Sequence, residues 1–246
     1  MFAVGDLHGC VDELCLVLDA IEAAPQDTVL FVGDYVDRGP SPKGVIDRLI
    51  ALRDSGGPRC VFLKGNHEDM FLSWLGEPGR HGDAFLLNGG RGTLQSYGLT
   101  PAMGGEEACG SLPPSHLDFL RRLAIFERRP PFLFVHAGIS PLRGLEEQDE
   151  EDLLWIREEF IRNRHRLAET VVFGHTPHRE VVWHLPWKIG IDTGCVYGNK
   201  LTCLELTEAV LFEARRGARE VTRRSVAEEM NAVSTLKTPA DGYSDR

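Results

Sequence analysis

The clearest indication of the fold lies in residues 28–39, Thr-Val-Leu-Phe-Val-Gly-Asp-Tyr-Val-Asp-Arg-Gly. The first five of these residues form a short apolar run rich in Val and Phe, which is typical of a strand buried on both faces. A glycine follows the run, and then come Asp34, Asp37 and Arg38. A buried strand that ends in glycine and charged side chains indicates the edge of a parallel sheet at which a polar site is built.

The same arrangement occurs on both sides of this stretch. The run from Phe2 to Gly5 precedes Asp6 and His8, and the run from Cys60 to Gly65 precedes Asn66 and His67. Apolar residues at helical spacing separate the three runs, namely Leu14, Val17, Leu18 and Ile21, then Val45, Ile46, Leu49 and Leu52. The pattern predicts an opening βαβαβ unit with parallel strands and therefore an α/β fold.

The rest of the chain predicts a core domain over residues 1–212 with two additions. Further strand-like runs occur at 132–135, 170–173, 188–191, 201–206 and 209–212, and the short turn between the last two favours antiparallel pairing. Residues 76–116 contain many Gly and Pro residues, which predicts a loop-rich insertion near the cleft. Residues 213–246 lose the apolar pattern and contain several arginines, which predicts a polar, partly basic tail.

Composition excludes several classes of protein. The 246 residues are 42% apolar and carry a net charge of −10, which fits one globular domain and argues against disorder and general nucleic-acid binding. Neither a stretch of ~18 apolar residues nor an export signal is visible. The six cysteines lie far apart without C-x-x-C pairs, so we expect reduced thiols in a cytoplasmic protein without a membrane or nucleic-acid partner. Composition leaves the oligomeric state open.

Metal-type ligands follow five of the predicted strands. His136 and His175 come after later strands and join Asp6, His8, Asp34 and Asn66 in one predicted group. Taken singly, an Asp or Asn after a strand also fits a turn or a helix cap. Together, carboxylate, amide and imidazole donors are the set that divalent cations take, and two neighbouring ions can share one carboxylate. Asp34 is the expected shared ligand.

At this point the sequence resembles the calcineurin-like metallophosphoesterases, and within them the branch of bacterial and phage Ser/Thr phosphoprotein phosphatases. The resemblance rests on GDLHG, GDYVDRG, GNHE, HAG and GHT, which occur in that order across residues 5–176. It implies a four-layer αββα sandwich with two mixed sheets and a binuclear metal site at the carboxyl ends of strands. It implies one metal shell of Asp6, His8, Asp34 and His175, and a second that shares Asp34 and includes Asn66 and His136.

The chemistry expected of such a site is hydrolysis of a phosphoester. Two divalent ions, with Mn expected first and Fe or Zn as alternatives, lower the pKa of a bound water so that it attacks phosphorus directly. His67 is the expected general acid, with Asp37 orienting its ring and favouring the imidazolium form. Arg38 and Arg157 are expected to bind the phosphate oxygens. Arg157 rests on its resemblance to the bacterial branch, and an Asp37–His67 pair also fits a purely structural role.

The most specific function predicted from the sequence is a Ser/Thr phosphoprotein phosphatase that acts on a phosphorylated protein or peptide. GDYVDRG and GNHE favour this reading over the alternative, a dinucleoside polyphosphate or other nucleotide hydrolase, which uses nearly the same ligands. A third hypothesis is a noncatalytic scaffold, against which the presence of every expected ligand argues. Beyond these, Tyr197 fits either a wall of the cleft or ordinary packing. Glu68 fits either a position behind the metal ligands or the first turn of a helix, and the second reading is favoured.

Overall fold

Two mixed β-sheets face each other in the computed structural model, which describes residues 1–235 and, for side chains, residues 1–231. The larger sheet contains β1 (Phe2–Val4), β2 (Thr28–Phe31), β3 (Arg59–Phe62), β9 (Lys200–Glu205), β10 (Val210–Arg215) and β11 (Val221–Ser225), in the order β11-β10-β9-β1-β2-β3. The smaller sheet contains β4 (Phe126–Arg129), β5 (Phe132–Val135), β6 (Thr170–Phe173), β7 (Val182–His184) and β8 (Lys188–Gly190), in the order β4-β5-β6-β8-β7. The parallel pairing of β1, β2 and β3 confirms the opening unit predicted from the sequence.

Helices cover the outer face of each sheet. They are α1 (Val11–Ile21), α2 (Pro42–Asp54), α3 (Asn66–Trp74), α4 (Arg91–Ser96), α5 (Gly105–Ser111), α6 (Pro114–Arg121), α7 (Glu150–Trp155) and α8 (Glu158–Arg162). A further helix, α9 (Ala227–Thr235), instead contributes Met230 to the apolar cluster between the sheets. None of the helices in the described part of the chain has the length and apolar composition that crossing a membrane requires.

Alternating side chains along the strands divide the core into layers. Phe2 and Val4 of β1 pack with the apolar faces of α1 and α2, whereas Ala3 between them points to the opposite side and packs with the smaller sheet. The outer face of the smaller sheet packs against α7 and α8 through Leu153 and Phe160. These clusters give the order helix, sheet, sheet, helix, so the four-layer αββα fold with two mixed sheets is confirmed.

The strands that the sequence did not predict lie at sheet edges. β4 and β7 border the smaller sheet and β11 borders the larger one. Their residues are mostly exposed or half-buried, so they lack the apolar runs that mark the central strands. β3, which was predicted as a buried strand, is also an edge strand, with Arg59 exposed and its other residues half-buried.

The expectation of a loop-rich insertion over residues 76–116 was wrong. This segment contains α4, α5, the first residues of α6 and short helical turns at Gly82–Ala84 and Leu86–Gly90. Helices of six to eight residues leave too few turns for an apolar period to be visible, and glycines stand at several of their ends. One part of the segment lies against the loop after β2, because the Gly89 carbonyl accepts a hydrogen bond from the Arg38 backbone N–H at 3.1 Å.

The boundary placed between a domain at 1–212 and a tail at 213–246 was also wrong. β10 continues to Arg215, and β11 pairs with it along five residues from Val221 to Ser225. Arg216 forms a salt bridge with buried Glu13 in α1, and Arg223 lies over the ring of Phe212. The basic residues therefore belong to an edge of the folded domain, whereas residues 236–246 of the predicted tail lie outside the described residues.

Candidate metal centre

The predicted ligands lie just after the carboxyl ends of five strands, in the loops or, for Asn66, at the start of α3. Asp6 and His8 follow β1, and Asp34 follows β2. The remaining ligands follow β3, β5 and β6, and they are Asn66, His136 and His175. All six side chains are buried, with exposed fractions of 4% or less. The structure thus brings the whole predicted set together, as expected for strands that end at one edge of an α/β fold.

Asp34 lies at the centre of this set. Its Oδ2 is 3.3 Å from His8 Nε2, and its Oδ1 is 3.3 Å from His136 Nε2. Two groups of potential ligands share Asp34: one contains His8 and His67, and the other contains His136 and His175. A carboxylate with each oxygen directed to a different ligand group has the arrangement that a bridging ligand requires.

Backbone carbonyls fix the orientation of two imidazoles. His8 Nδ1–H donates to the Val36 carbonyl at 2.8 Å, and His136 Nδ1–H donates to the Val32 carbonyl at 2.9 Å. Each ring therefore presents Nε2 to the site, which is the arrangement that second-shell hydrogen bonds impose on metal-binding histidines. Burial lowers the pKa of His136 and lowers that of His175 well below its ordinary value, so both rings are neutral, as metal ligands must be.

Several buried polar atoms at this site lack a partner. Within residues 1–231, Asp6 Oδ1 and His175 Nε2 are buried and have no hydrogen-bond partner. Burial, together with the nearby charges of Asp192 and Asp34, raises the pKa of Asp6 well above its ordinary value. A divalent cation would provide the partner and offset the crowding of carboxylates. The donor set of oxygen and imidazole nitrogen therefore fits bound divalent ions, and it fits Mn, Fe and Zn alike.

Asp37 and His67 form a buried pair beside the ligands. His67 Nδ1–H donates to Asp37 Oδ2 at 2.6 Å, and His67 Nε2 has no partner among the described residues. Burial raises the pKa of Asp37 to about 7. Burial also lowers the pKa of His67 well below its ordinary value, and the positive Arg38 and Arg157 act in the same direction. The described site therefore favours neutral imidazole rather than the imidazolium expected from the sequence, because desolvation and the nearby positive charges outweigh the negative charge of Asp34.

The two predicted phosphate-binding arginines lie at the rim. Arg38 is half-buried, its Nη1 donates to His8 Nε2 at 2.6 Å, and its guanidinium lies 5.7 Å from the centre of the Tyr197 ring. Arg157 is exposed, and its Nη1 donates to the carbonyl of His175 at 3.1 Å. Both guanidinium groups thus contact predicted metal ligands. Arg38 contacts the side chain of His8, and Arg157 contacts the backbone carbonyl of His175.

Backbone strain is concentrated at this site. Eight non-glycine residues of the described chain have positive φ, and five of them are predicted site residues: His8, Asp34, Asp37, Arg38 and His175. The left-handed region is unfavourable for residues with a side chain and is retained where the surrounding structure enforces it. The sequence carries no signal for this feature, because none of these positions is a glycine.

Sequence reasoning undervalued Glu68 and missed Asp192. The buried Glu68 carboxylate accepts four backbone N–H groups, from Asp34, Tyr35, Val36 and Gly65, at 2.7 to 3.1 Å. Asp192 follows β8, is 6% exposed and raises the pKa of Asp6 by its charge, while burial raises its own pKa to about 6. The rule that identified the predicted ligands, a polar residue just after an apolar run, would also have identified Asp192 as a residue near the site.

Comparisons with known proteins agree with this geometry. Residues 2–207 match the sequence profile of the family "Calcineurin-like phosphoesterase". The chain is 30% identical over 207 residues to Serine/threonine-protein phosphatase 1 of Salmonella typhimurium, covering 82% of this chain and 89% of that protein. It is 26% identical over 240 residues to the asymmetrical bis(5'-nucleosyl)-tetraphosphatase PrpE of Anoxybacillus flavithermus, covering 83% and 89%. A crystal structure named "putative diadenosine tetraphosphatase" superposes with a TM-score of 0.63 at 26% identity, covering 87% of this chain and 92% of that one.

Proposed function

Because this chain belongs to the calcineurin-like phosphoesterases, a family of divalent-metal-dependent hydrolases, we propose that its substrate is phosphoserine or phosphothreonine on a protein or peptide. The observation that carries the proposal is the buried hydrogen bond of 2.6 Å between His67 and Asp37. A serine or threonine leaves as a strongly basic alkoxide, which needs a proton in the transition state. A nucleotide leaves as a weakly basic phosphate and needs that proton far less.

Six side chains would hold two divalent ions, expected first as Mn. Asp6 and His8 would bind one ion, Asn66, His136 and His175 the other, and Asp34 both. The grouping of His175 with His136 follows from their shared cluster with Asp34 and from the 2.9 Å contact of His175 Nδ1 with Asn66 Oδ1. When bound, such ions supply a water that ionises near neutral pH and positive charge for the phosphate oxygens.

The residues of this chain would act on the two ends of the scissile bond. Arg38 and Arg157 would bind nonbridging phosphate oxygens, for which the planar guanidinium fork is suited. Arg38 would then exchange its contact with His8 for the phosphate. The dianionic ester brings negative charge next to His67 and favours its imidazolium form, so that Nε2–H can protonate the leaving oxygen while Nδ1–H stays on Asp37.

Competing substrates test this proposal. Protein loaded with Mn is given a phosphothreonine peptide or a dinucleoside tetraphosphate at equal concentration, and chelator-treated protein serves as the control. We expect kcat/KM for the peptide to be at least ~10-fold higher. Preference for the tetraphosphate would replace the proposal with the second candidate, and inactivity of fully loaded protein on both substrates would revive the scaffold hypothesis.

The second candidate is hydrolysis of a nucleoside polyphosphate, and a concavity beside the centre favours it. The concavity has a volume of about 350 Å³, and its lining includes Pro177, His178, Arg179 and Tyr197. Tyr197 is 61% exposed and lies next to Arg38, so a planar base attached to a bound phosphate could stack on its ring. The relative from Anoxybacillus flavithermus, named as a tetraphosphatase, supports the same reading.

A further inference from the structure

Asp37, which orients His67, is itself held by a residue from outside the strand-end loops. Thr93 in α4 donates its Oγ1–H to Asp37 Oδ1 at 2.6 Å and accepts the backbone N–H of Asp37 at 2.8 Å. The other carboxylate oxygen, Oδ2, accepts Nδ1–H of His67. Thr93 and Asp37 have no exposed surface, so water cannot replace either hydrogen bond. Each oxygen of the carboxylate thus has one fixed partner.

The segment that carries Thr93 also contacts the neighbouring Arg38. The Arg38 backbone N–H donates to the Gly89 carbonyl at 3.1 Å, and a Cβ on Gly89 would come within 2.7 Å of the Arg38 side chain. Asp37 and Arg38 both have left-handed backbone conformations, with φ of 69° and 64°. Two consecutive residues in this region need support from their surroundings. Residues 89–93 provide that support through the hydrogen bonds at Asp37 and Arg38.

We propose that Thr93 is a positioning residue for the general acid: by binding Asp37 Oδ1 it directs Oδ2 to His67 and so aims His67 Nε2 at the leaving oxygen. This inference rests on the proposed phosphoester hydrolysis with His67 as the proton donor. Removal of the hydroxyl leaves one carboxylate oxygen and one backbone N–H of Asp37 buried without partners. The carboxylate then turns to reduce that cost, and the ring of His67 loses its fixed orientation.

The alternative is that the Thr93 hydroxyl only stabilises the packing of α4. A packing role predicts an equal loss on every substrate, because the amount of folded enzyme falls. A positioning role predicts a loss that grows with the basicity of the leaving group, because proton donation matters most for such esters. The two roles are therefore separated by a comparison of alkyl and aryl phosphates in one preparation.

The test uses Thr93→Val, which removes the hydroxyl at nearly constant volume, and Thr93→Ser, which keeps it. Thr170→Val is the matched control. Thr170 is equally buried, and its hydroxyl donates to the Pro186 carbonyl at 2.7 Å. It is the first residue of β6, at the end of the strand away from His175. The substrates are a phosphothreonine peptide and 4-nitrophenyl phosphate. Metal content is measured for each variant, and the His67 Nδ1–H proton is followed by NMR in the zinc-loaded protein.

For Thr93→Val we expect kcat on the peptide to fall about 10-fold to 100-fold, a much smaller fall on 4-nitrophenyl phosphate, and unchanged KM and metal content. The NMR signal of the His67 Nδ1–H should shift or broaden. Thr93→Ser should restore most of the rate, and Thr170→Val should affect both substrates equally. If Thr93→Val does not fold, Thr93→Cys, which has a weaker donor of similar size, takes its place with the same expectations.

His67→Asn, measured alongside, separates failure of this inference from failure of the proposed function. If the wild-type protein hydrolyses neither ester, the proposed function fails. If the wild type is active but His67→Asn lowers kcat equally on both esters, His67 is not the general acid, and the inference about Thr93 fails with that assignment. If His67→Asn lowers kcat more on the peptide than on 4-nitrophenyl phosphate, the general acid is supported. If Thr93→Val then lowers both rates equally, or lowers neither, Thr93 is structural and only the inference about Thr93 is overturned.

Discussion

Glu68 Oε2 accepts the backbone N–H of Asp34 at 2.9 Å. A side chain from the first turn of α3 thereby fixes the backbone of the residue at the centre of the ligand set. The Asp34 φ of 54° lies in the left-handed region, so this support is required at a strained position. Burial and the charge of Asp34 raise the pKa of Glu68 to about 8, although hydrogen bonds from backbone N–H groups act in the opposite direction.

Replacement of Glu68 by Gln should therefore weaken metal binding without removing a metal ligand. The amide NH2 would face backbone N–H groups that the carboxylate now accepts, and leaving buried donors unsatisfied costs about 1–3 kcal/mol. We expect a lower Tm and a loss of metal affinity of about 10-fold to 100-fold, measured by competition with a chelating dye. Glu146→Gln, at an exposed position, is the control. Unchanged affinity would show that Glu68 acts only as a helix cap.

Replacement of Asp34 by Asn should release both ions together. Both carboxylate oxygens of Asp34 lie 3.3 Å from imidazole nitrogens of different ligand groups, and an amide cannot supply negative charge to either. Elemental analysis after gel filtration should give less than one ion per chain, against two for the wild type and for Asp83→Asn at an exposed site. Retention of two tightly bound ions would remove Asp34 as the bridge.

Replacement of His67 by Asn should affect esters according to their leaving group. We expect kcat on a phosphothreonine peptide to fall about 10²-fold to 10⁴-fold, with a smaller fall on 4-nitrophenyl phosphate and two ions still bound. His184→Asn, at an exposed histidine, should change neither rate. Equal losses on both esters would contradict the role of His67 as the acid.

Arg157→Ala should weaken the binding of the phosphate without disturbing the metals. Arg157 is exposed, and among the described residues its side chain donates to the His175 carbonyl and the Thr176 hydroxyl, so its loss should leave the predicted ligands in place. We expect an increase in KM or a decrease in kcat of about 10-fold, since a guanidinium–phosphate contact contributes a charge-assisted hydrogen bond. Arg162→Ala is the exposed control. Wild-type kinetics would show that Arg157 has a structural role only.

Stability should rise with pH through the titration of Lys188. Its Nζ donates to the carbonyls of Phe160 and Asn163, and burial lowers its pKa from 10.5 to about 8. Between those values the unfolded chain binds more protons than the folded chain, so the free energy of unfolding should increase with pH. Relative to Lys188→Met, the gain from pH 7.5 to 9.5 should be on the order of 1 kcal/mol in urea denaturation.

The matched control for this titration is Lys43→Met, since the Lys43 side chain is 40% exposed. The difference in stability between this variant and the wild type should be nearly constant over the same pH range. A difference between wild type and Lys188→Met that is flat with pH would contradict the lowered pKa of Lys188.

The meeting of the six candidate ligands at one place was predictable because they stand in the chain just after buried apolar runs. Asp6, Asp34 and Asn66 each follow a strand, and parallel strands bring such positions to one edge. The contacts of Glu68 and Thr93 with the site could not be predicted in the same way. The partners of Glu68 are backbone N–H groups, and the partner of Thr93 is the Asp37 carboxylate, which lies far away in the sequence. Their roles exist only once residues 33–37 have folded around them.

The strands likewise divide into those that the sequence predicts and those that it does not. Central strands such as β2 and β6 have apolar residues on both faces and were predicted from the sequence. β4, β7 and β11 lie at edges, where solvent permits charged side chains such as Arg128 and Arg223, so their sequences resemble those of loops. Pairing with a neighbour, rather than an apolar pattern, makes them strands.

Titration of the metal-free protein with Mn tests whether hydrolysis requires two bound ions. Bound ions per chain and the initial rate of phosphate release from 4-nitrophenyl phosphate are measured on the same samples. For a binuclear centre we expect no hydrolysis in the metal-free protein and a rate that reaches its plateau at two ions per chain. A plateau at one ion, or full hydrolysis by protein that elemental analysis shows to be free of metal, would contradict it.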